Sequence, residues 1–346
     1  MVLFIVRRLF WAVLLAFAIS LITFVIFFLV PNNAASFRYG QGSLAQSLQT
    51  QFSLQGSLPD QYAHFVGHIL TGDFGRSSRT GDQASDVIKQ ALPVTASLVV
   101  GGTVMWMLIA IPIGLLSALR PRSLLDKGLM VFVLIGVSAH PIWLSLVFSY
   151  VFGAKLHLLP VGDYCNFFAS PQERCGGAVD WAQHMVLPWL TFAFLFAALY
   201  ARMIRASVLE LMEEEFVRTA RAKGASEARV MRSHILRNAM LPIVAMLGMD
   251  VGIAFAGSLF IETAYGLPGI GQLLYRSATS TDLPVTMGVM LVVGLAVAVF
   301  NLIADVAYCL LDPRVLPDTA RPRRRRAFEA QQHREPAAAG VRESVT

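Results

Sequence analysis

Residues 91–119 read ALPVTASLVVGGTVMWMLIAIPIGLLSAL, 29 positions without a charged side chain. A helix needs roughly 20 apolar residues to cross about 30 Å of hydrocarbon, and this run exceeds that. Five further stretches are comparably apolar: residues 9–30, 128–154, 185–201, 239–261 and 283–311. The chain is 55% hydrophobic and only 14% charged. Soluble chains carry about 25% charged residues, so much of this surface meets something other than water. The pattern predicts an all-α, polytopic membrane helix bundle with six transmembrane spans. The first run is longer than the about 7–15 apolar residues of a cleaved signal, so it reads as an uncleaved span behind Arg7 and Arg8.

Charge sets the orientation, because Lys and Arg collect in short cytoplasmic loops. With residues 1–8 inside, the inside segments hold Arg7 and Arg8, then Arg120, Arg122 and Lys127, then eight cations from 202 to 237 and eight after residue 311, which is 21 of 28. Only seven fall outside: Arg38, Arg76, Arg79, Lys89, Lys155, Arg174 and Arg276. Both termini are therefore expected in the cytoplasm. The net charge of +6 follows from this topology and from anionic inner-leaflet lipids, and needs no nucleic-acid partner.

The outer loop 31–90 is rich in Gln, Ser and Gly. Within it Tyr62, Phe65, Val66 and Ile69 fall at helical spacing, predicting a short amphipathic helix over 58–70, lying on the membrane surface or packed on the bundle. Trp181 and Trp189 at the outer end of the fourth span, and Trp11 at the inner end of the first, read as interfacial anchors. Pro112, Pro141, Pro188 and Pro242 interrupt spans and permit kinks. Cys165 and Cys175 share one outside loop, where an oxidising compartment favours a disulfide. A pair of free thiols is the alternative. Residues 312–346 are basic and Pro/Ala-rich, with Arg323 to Arg326 consecutive, and are expected to form a disordered cytoplasmic tail.

The connection between the fourth and fifth spans, 202–238, is too charged and too long for a simple turn. Val208, Leu211, Met212, Glu215, Phe216, Thr219 and Ala220 follow a helical period. Lys223 ends that helix, Gly224 suits the left-handed position after it, and Ser226 is placed to cap a second helix through Val230, Met231 and Ile235. Composition alone allows a solvated amphipathic loop; the order of residues is more specific. Phe216-Val217-Arg218-Thr219-Ala220-Arg221-Ala222-Lys223-Gly224, then His234, Leu236-Arg237-Asn238-Ala239 and Pro242, resembles the cytoplasmic loop of the integral membrane subunits of bacterial ABC importers. The form resembles that of the B-type permease of the oligopeptide/dipeptide/nickel group. The resemblance extends to Arg7-Arg8-Leu9, to Gly72-Asp73-Phe74-Gly75-Arg76-Ser77, and to Glu262-Thr263, Pro268-Gly269-Ile270-Gly271 and Asp282-Leu283-Pro284-Val285. Where the group has Pro-Gly-Asp-Pro after the first span, this chain has Pro31-Asn32-Asn33-Ala34.

That resemblance implies a type I importer permease in the bacterial cytoplasmic membrane, working as a heterodimer with a second homologous permease. Two cytoplasmic ATPases would bind ATP and Mg, and an extracytoplasmic binding protein would deliver substrate. The helix from Glu215 to Gly224 would seat in an ATPase cleft, with Phe216 and Val217 in an apolar slot and Arg218 and Arg221 facing ATPase acids. Rim ion pairs contribute about 0–1 kcal/mol each, so Phe216 should dominate. Peptides are the expected cargo, with nickel or another small solute as the alternative.

The chain has no GxxxxGK[ST] loop, and its four lysines, Lys89, Lys127, Lys155 and Lys223, follow no glycine-rich turn, so it is expected to carry no cofactor and no catalysis of its own. An ATP-independent carrier would be marked by intramembrane ionisable groups. The candidates are His140, Asp250 and Asp305, of which Asp250 either lines a pathway or pairs inside the bundle. An intramembrane enzyme finds no HExxH or GxSxG motif; His64, His68 and Asp73 are its thin metal-ligand candidate.

Overall fold

The computed structural model describes residues 2–29, 57–168 and 175–311, and among them no strand forms. The Pro31–Ala34 corner and the basic tail lie outside the described residues. Helix α1 spans Val2–Phe24 and widens into a π-helical turn, Val25–Leu29. Then come α2 (Leu58–Leu70), α3 (Ala84–Leu119), α4 (Leu124–Ser138) and α5 (Pro141–Phe148), the last continued by π-helical turns over Ser149–Lys155. Helix α6 covers Ala178–Met212, α7 Glu215–Ala222 and α8 Glu227–Arg229. A π-helical segment, Val230–Ile235, leads into α9 (Leu236–Tyr265), followed by α10 (Ile270–Thr279) and α11 (Leu283–Leu311). Among the described residues five helices are long and apolar enough to cross a membrane, and six spans result when α4 and α5 count as one broken span.

That broken pair corrects the expected continuous third span, 128–154: its halves meet at 112°. The cause is local. Ala139 and His140 are extended, as the residues before a proline tend to be, and Pro141 opens the next helix at its first position. His140 caps it, its Nδ1 accepting the Ile142 N–H at 3.3 Å. The fourth span is longer than expected, Ala178–Met212 rather than 185–201, and carries Arg202 and Arg205 on its extension.

Helices α3 and α6 form the spine. Trp106 stacks on Phe196 with ring centroids 4.5 Å apart. Gly114 lets α3 lie on the Ala201 carbonyl and the Ile204 side chain, where a Cβ would overlap both. Small residues permit such close approach, which is how helices associate where lipid supplies no hydrophobic drive. Trp189 belongs to the same seam. Its ring lies on Gly101, and its indole N–H donates to the Ser97 carbonyl at 3.0 Å. Trp181 meets it edge-on at 5.2 Å. Both tryptophans, half-buried, thus take part in helix packing at this end of the α3–α6 seam.

Helix α9 lies against α11 where Gly248 meets Ala304. Helix α1 is the outer layer, seated on α11 through Ile19 and Gly294 and tied at its start by Arg8 to Asp305 at 2.8 Å. The amphipathic helix α2 packs on the bundle: Phe65 is fully buried, Phe24 touches both Phe65 and Tyr62, and the Ser20 and Tyr62 hydroxyls are 2.7 Å apart.

Candidate functional site

The connection from α6 to α9 builds a short helix projecting from one end of the bundle. Helix α6 stops at Met212, and Glu213-Glu214 turn the chain into α7. One face of α7 is apolar. Val217 has 0% exposure and joins Val208, Val230 and Ile235 in the central core, with Ala220 and Ala225 half-buried beside it. The opposite face presents Glu215, Arg218, Thr219, Arg221, Ala222 and Lys223, together with Phe216, whose side chain is 38% exposed. Gly224 follows at φ +80°, in the left-handed region, and donates its N–H to the Arg221 carbonyl at 2.9 Å. Ser226 occupies the N-cap position of α8 without a side-chain capping bond.

Two expectations change here. Val217 faces the protein's own core and is the root of the helix, so an apolar contact with a partner falls to Phe216 alone. Arg221 is engaged within the chain: Nε and Nη2 donate to Glu227 Oε1 and Oε2 at 2.8 and 3.1 Å, bridging the glycine turn. Arg218 remains exposed. In the following segment Leu236 is half-buried and Arg237, Asn238 and Pro242 are exposed, with the Asn238 amide donating to the His234 carbonyl at 2.8 Å.

Three carboxylates hold this end and the opposite one in place. At the α7 end, Arg205 of α6 grips Asp126 of α4, with Nε and Nη2 donating at 2.7 and 2.9 Å. Ser117 of α3 donates to the same carboxylate at 2.5 Å, and so does the Arg122 N–H at 2.9 Å from a left-handed turn. Three helices thus meet on one acid. At the far end Glu262 is fully buried and accepts from the Thr95 hydroxyl at 2.6 Å and the Gln272 N–H at 2.9 Å. Thr95 in turn accepts from the Ile270 N–H at 2.7 Å. Gly269 and Gly271 are needed here for space: a Cβ on the first would meet the Glu262 carboxylate, and on the second the Leu259 backbone. Pro268 stays exposed beside them. Asp282, also buried, accepts from the Ser77 hydroxyl and, at 3.2 Å, from the Ser78 N–H. The outer-loop motif and the motif before α11 are therefore one contact.

Glu262, Asp282, the glycines and Ser77 all stand within motifs legible in the sequence, but the pairing of Ser77 with Asp282 and the role of Thr95 are not, and Arg205 counts there only as a charge. Asp126 went unnoticed, although a lone acid among Arg120, Arg122 and Lys127 is the one signal that singles it out.

The remaining candidates resolve separately. Asp250 pairs inside the bundle, accepting from the buried Tyr200 hydroxyl at 2.6 Å. Cys165 and Cys175 form a disulfide with Cα atoms 5.0 Å apart, within the range such bonds require. His184 lies 3.2 Å from the Cys165 sulfur, and its Nδ1 is 2.8 Å from the Asp180 carbonyl. His68 meets Asp73 at 3.3 Å, while among the described residues the one group of metal-type donors lying close together is Cys165, Cys175 and His184.

A helical membrane body with a short helix hung from a long inter-span connection defines a class of transport subunit. The chain belongs to the family described as binding-protein-dependent transport system inner membrane component, whose model matches residues 110–317, and the model of that family's N-terminal part matches residues 1–99. It is 32% identical over 317 residues to the "Oligopeptide transport system permease protein AppB" of Bacillus subtilis, covering 90% of this chain and 98% of the relative. It is 30% identical over 329 residues to the "Probable D,D-dipeptide transport system permease protein DdpB" of Escherichia coli, covering 90% and 97%. Among solved structures, a chain of the MetNI methionine ABC transporter in an inward-facing conformation matches with a TM-score of 0.51 at 18% identity, over 65% of this chain and 96% of that one. The last likeness establishes the fold, that of a type I ABC importer permease.

Proposed function

We propose that this chain is one permease half of an ATP-driven importer that carries short peptides across the bacterial cytoplasmic membrane. One observation carries the reading: α7 is rooted in the core by Val217 yet presents Phe216 and Arg218 outward, as a docking knob must. The peptide assignment is supported by the names of the two relatives. The orientation is supported by charge, since Arg8, Arg122, Arg205, Arg218, Arg221 and Lys223 lie at the α7 end of the bundle. That end is cytoplasmic in this reading, as are both termini.

In the working assembly a second, homologous permease completes the pathway. Two ATPases holding ATP and Mg receive the α7 knobs, and a binding protein delivers peptide to the disulfide-bearing side. Closure of the ATPase pair displaces Phe216. The buried root at Val217 passes that displacement to α6, and the Arg205–Asp126 bracket passes it on to α3 and α4. Reconstitution of the permease pair with its ATPases and binding protein tests this. Uptake of labelled tri-alanine should require ATP and the binding protein. Uptake by the permeases alone, with no ATPase present, would overturn the assignment.

A further inference from the structure

A groove of about 360 Å³ opens on the disulfide-bearing side, between the start of α3, the loop at Cys165 and helix α10. Its lining includes Gln90 and Val94 from α3, Tyr164 and Asn166 beside the disulfide, and Gln272 and Arg276 from α10. The volume falls in the range of about 300–1,000 Å³ that small-molecule sites occupy.

Two features of the lining point to a ligand. Gln272 is only 6% exposed, yet its side-chain amide makes no hydrogen bond among the described residues. Its amide is also not among the buried polar atoms sealed off without a partner, so what remains accessible faces the groove. Open to the groove and bonded to no other side chain or backbone group, that amide is free to donate to and accept from a polar ligand in place of water. The second feature is Arg276, one helical turn further along the same face of α10 and without an ion pair among the described residues. The nearby Lys89 is paired with Asp86 at 3.5 Å, which leaves Arg276 as the cation of the groove.

We propose that this groove is a subsite for the C-terminal end of a short peptide, with the Gln272 amide taking a backbone peptide group and the Arg276 guanidinium taking the terminal carboxylate. An amide both donates and accepts, as a peptide group does, and guanidinium binds carboxylate in a fork. The spacing fits: residues i and i+4 rise about 6 Å along a helix, and one to two residues of extended peptide span about 3.5–7 Å. The groove is built to hold still. Glu262 fixes the Gln272 backbone, Thr95 fixes the first turn of α10, and the disulfide holds the wall carrying Tyr164 and Asn166.

This subsite rests on the peptide-importer reading and is tested apart from it. The assembled transporter in nanodiscs, without binding protein, is titrated with tri-alanine and with tri-alanine amide. Wild type should prefer the free acid. Arg276→Gln should weaken tri-alanine by about tenfold, the worth of a charged hydrogen bond, and leave the amide unchanged. Arg276→Lys should restore part of the loss, and Gln272→Leu should weaken both probes alike. Equal affinity for the two probes in wild type, or no effect of either substitution, overturns the subsite. So does loss of binding-protein capture by Arg276→Gln with tri-alanine affinity intact, which would make the groove a docking surface for that protein. Absence of ATP-driven tri-alanine uptake while the groove discriminates the probes would instead count against the transport reading alone. Arg276 is exposed, so unchanged elution and melting temperature of its variants exclude a folding defect.

Discussion

Arg205 holds the Asp126 carboxylate with two parallel hydrogen bonds, 2.7 and 2.9 Å long, across 79 residues of sequence. The pair joins α6, the helix that carries the projecting knob, to α4, and through Ser117 to α3. Removing one partner leaves the other charge without its counterpart, and removing both does not. Asp126→Asn and Arg205→Gln should each lower the melting temperature in detergent, and the double variant should lose less than the sum. Additive losses in that double-mutant cycle would show that the two side chains act independently.

Thr95 both donates to Glu262 and receives the Ile270 N–H. Thr95→Val keeps the shape and removes both bonds, leaving a buried carboxylate and a buried N–H short of a partner. A loss of about 1–3 kcal/mol is expected in chemical unfolding, whereas Thr95→Ser should stay close to wild type. Indifference to Thr95→Val would mean that Glu262 is held by other groups.

Phe216 and Val217 are neighbours in sequence with opposite roles. Val217→Ala removes two buried methyl groups and should cost about 1–2 kcal/mol of stability. Phe216→Ala should leave the permease as stable as before and weaken ATPase capture, measured by co-purification. A swap of those two phenotypes would reverse the orientation assigned to α7.

Gly224 sits at φ +80° with nothing within 4 Å of a Cβ position, so only backbone strain opposes a side chain there. That strain is about 1–2 kcal/mol for a β-branched residue and less for Asn. Gly224→Val should uncouple ATP hydrolysis from uptake with membrane insertion intact, and Gly224→Asn should keep most coupling. Full transport by Gly224→Val would show that the turn plays no part in the coupling.

Three cysteines occur in the chain. Under denaturing conditions an alkylating reagent should label one of them without reductant and all three with it. Labelling of Cys165 or Cys175 before reduction would contradict the disulfide.

The spans were legible because lipid imposes a one-dimensional rule: a run of apolar residues of the right length must cross. The end of the knob was legible because a glycine turn is a local signal, but its start was not: the expected period from Val208 to Ala220 runs across the break at Glu213-Glu214, and Ser226 stands at the cap position without a capping bond. The 112° break at Ala139–His140 was half visible, since Pro141 marks the place but periodicity cannot tell a kink from a new helix. Val217 and Phe216 look equally apolar in sequence, and only the position of α6 decides which is buried. Brackets such as Thr95–Glu262 and Ser77–Asp282 link residues 167 and 205 positions apart, a distance that no local signal spans. The fit of Trp189 onto Gly101 is visible only when α3 and α6 are side by side.

The seat of α1 carries a consequence for how the protein is made. Its main contacts are α2 and α11, so the first span synthesised finds its principal partner only when the last emerges. Until then a helix with Phe10, Trp11 and Phe17 exposed must wait in lipid beside an unfinished bundle. A chain halted before residue 283 would still build the α3–α6 spine, but its leading helix would stay undocked, with Arg8 lacking Asp305. Arrival of α11 is thus the step that closes the bundle.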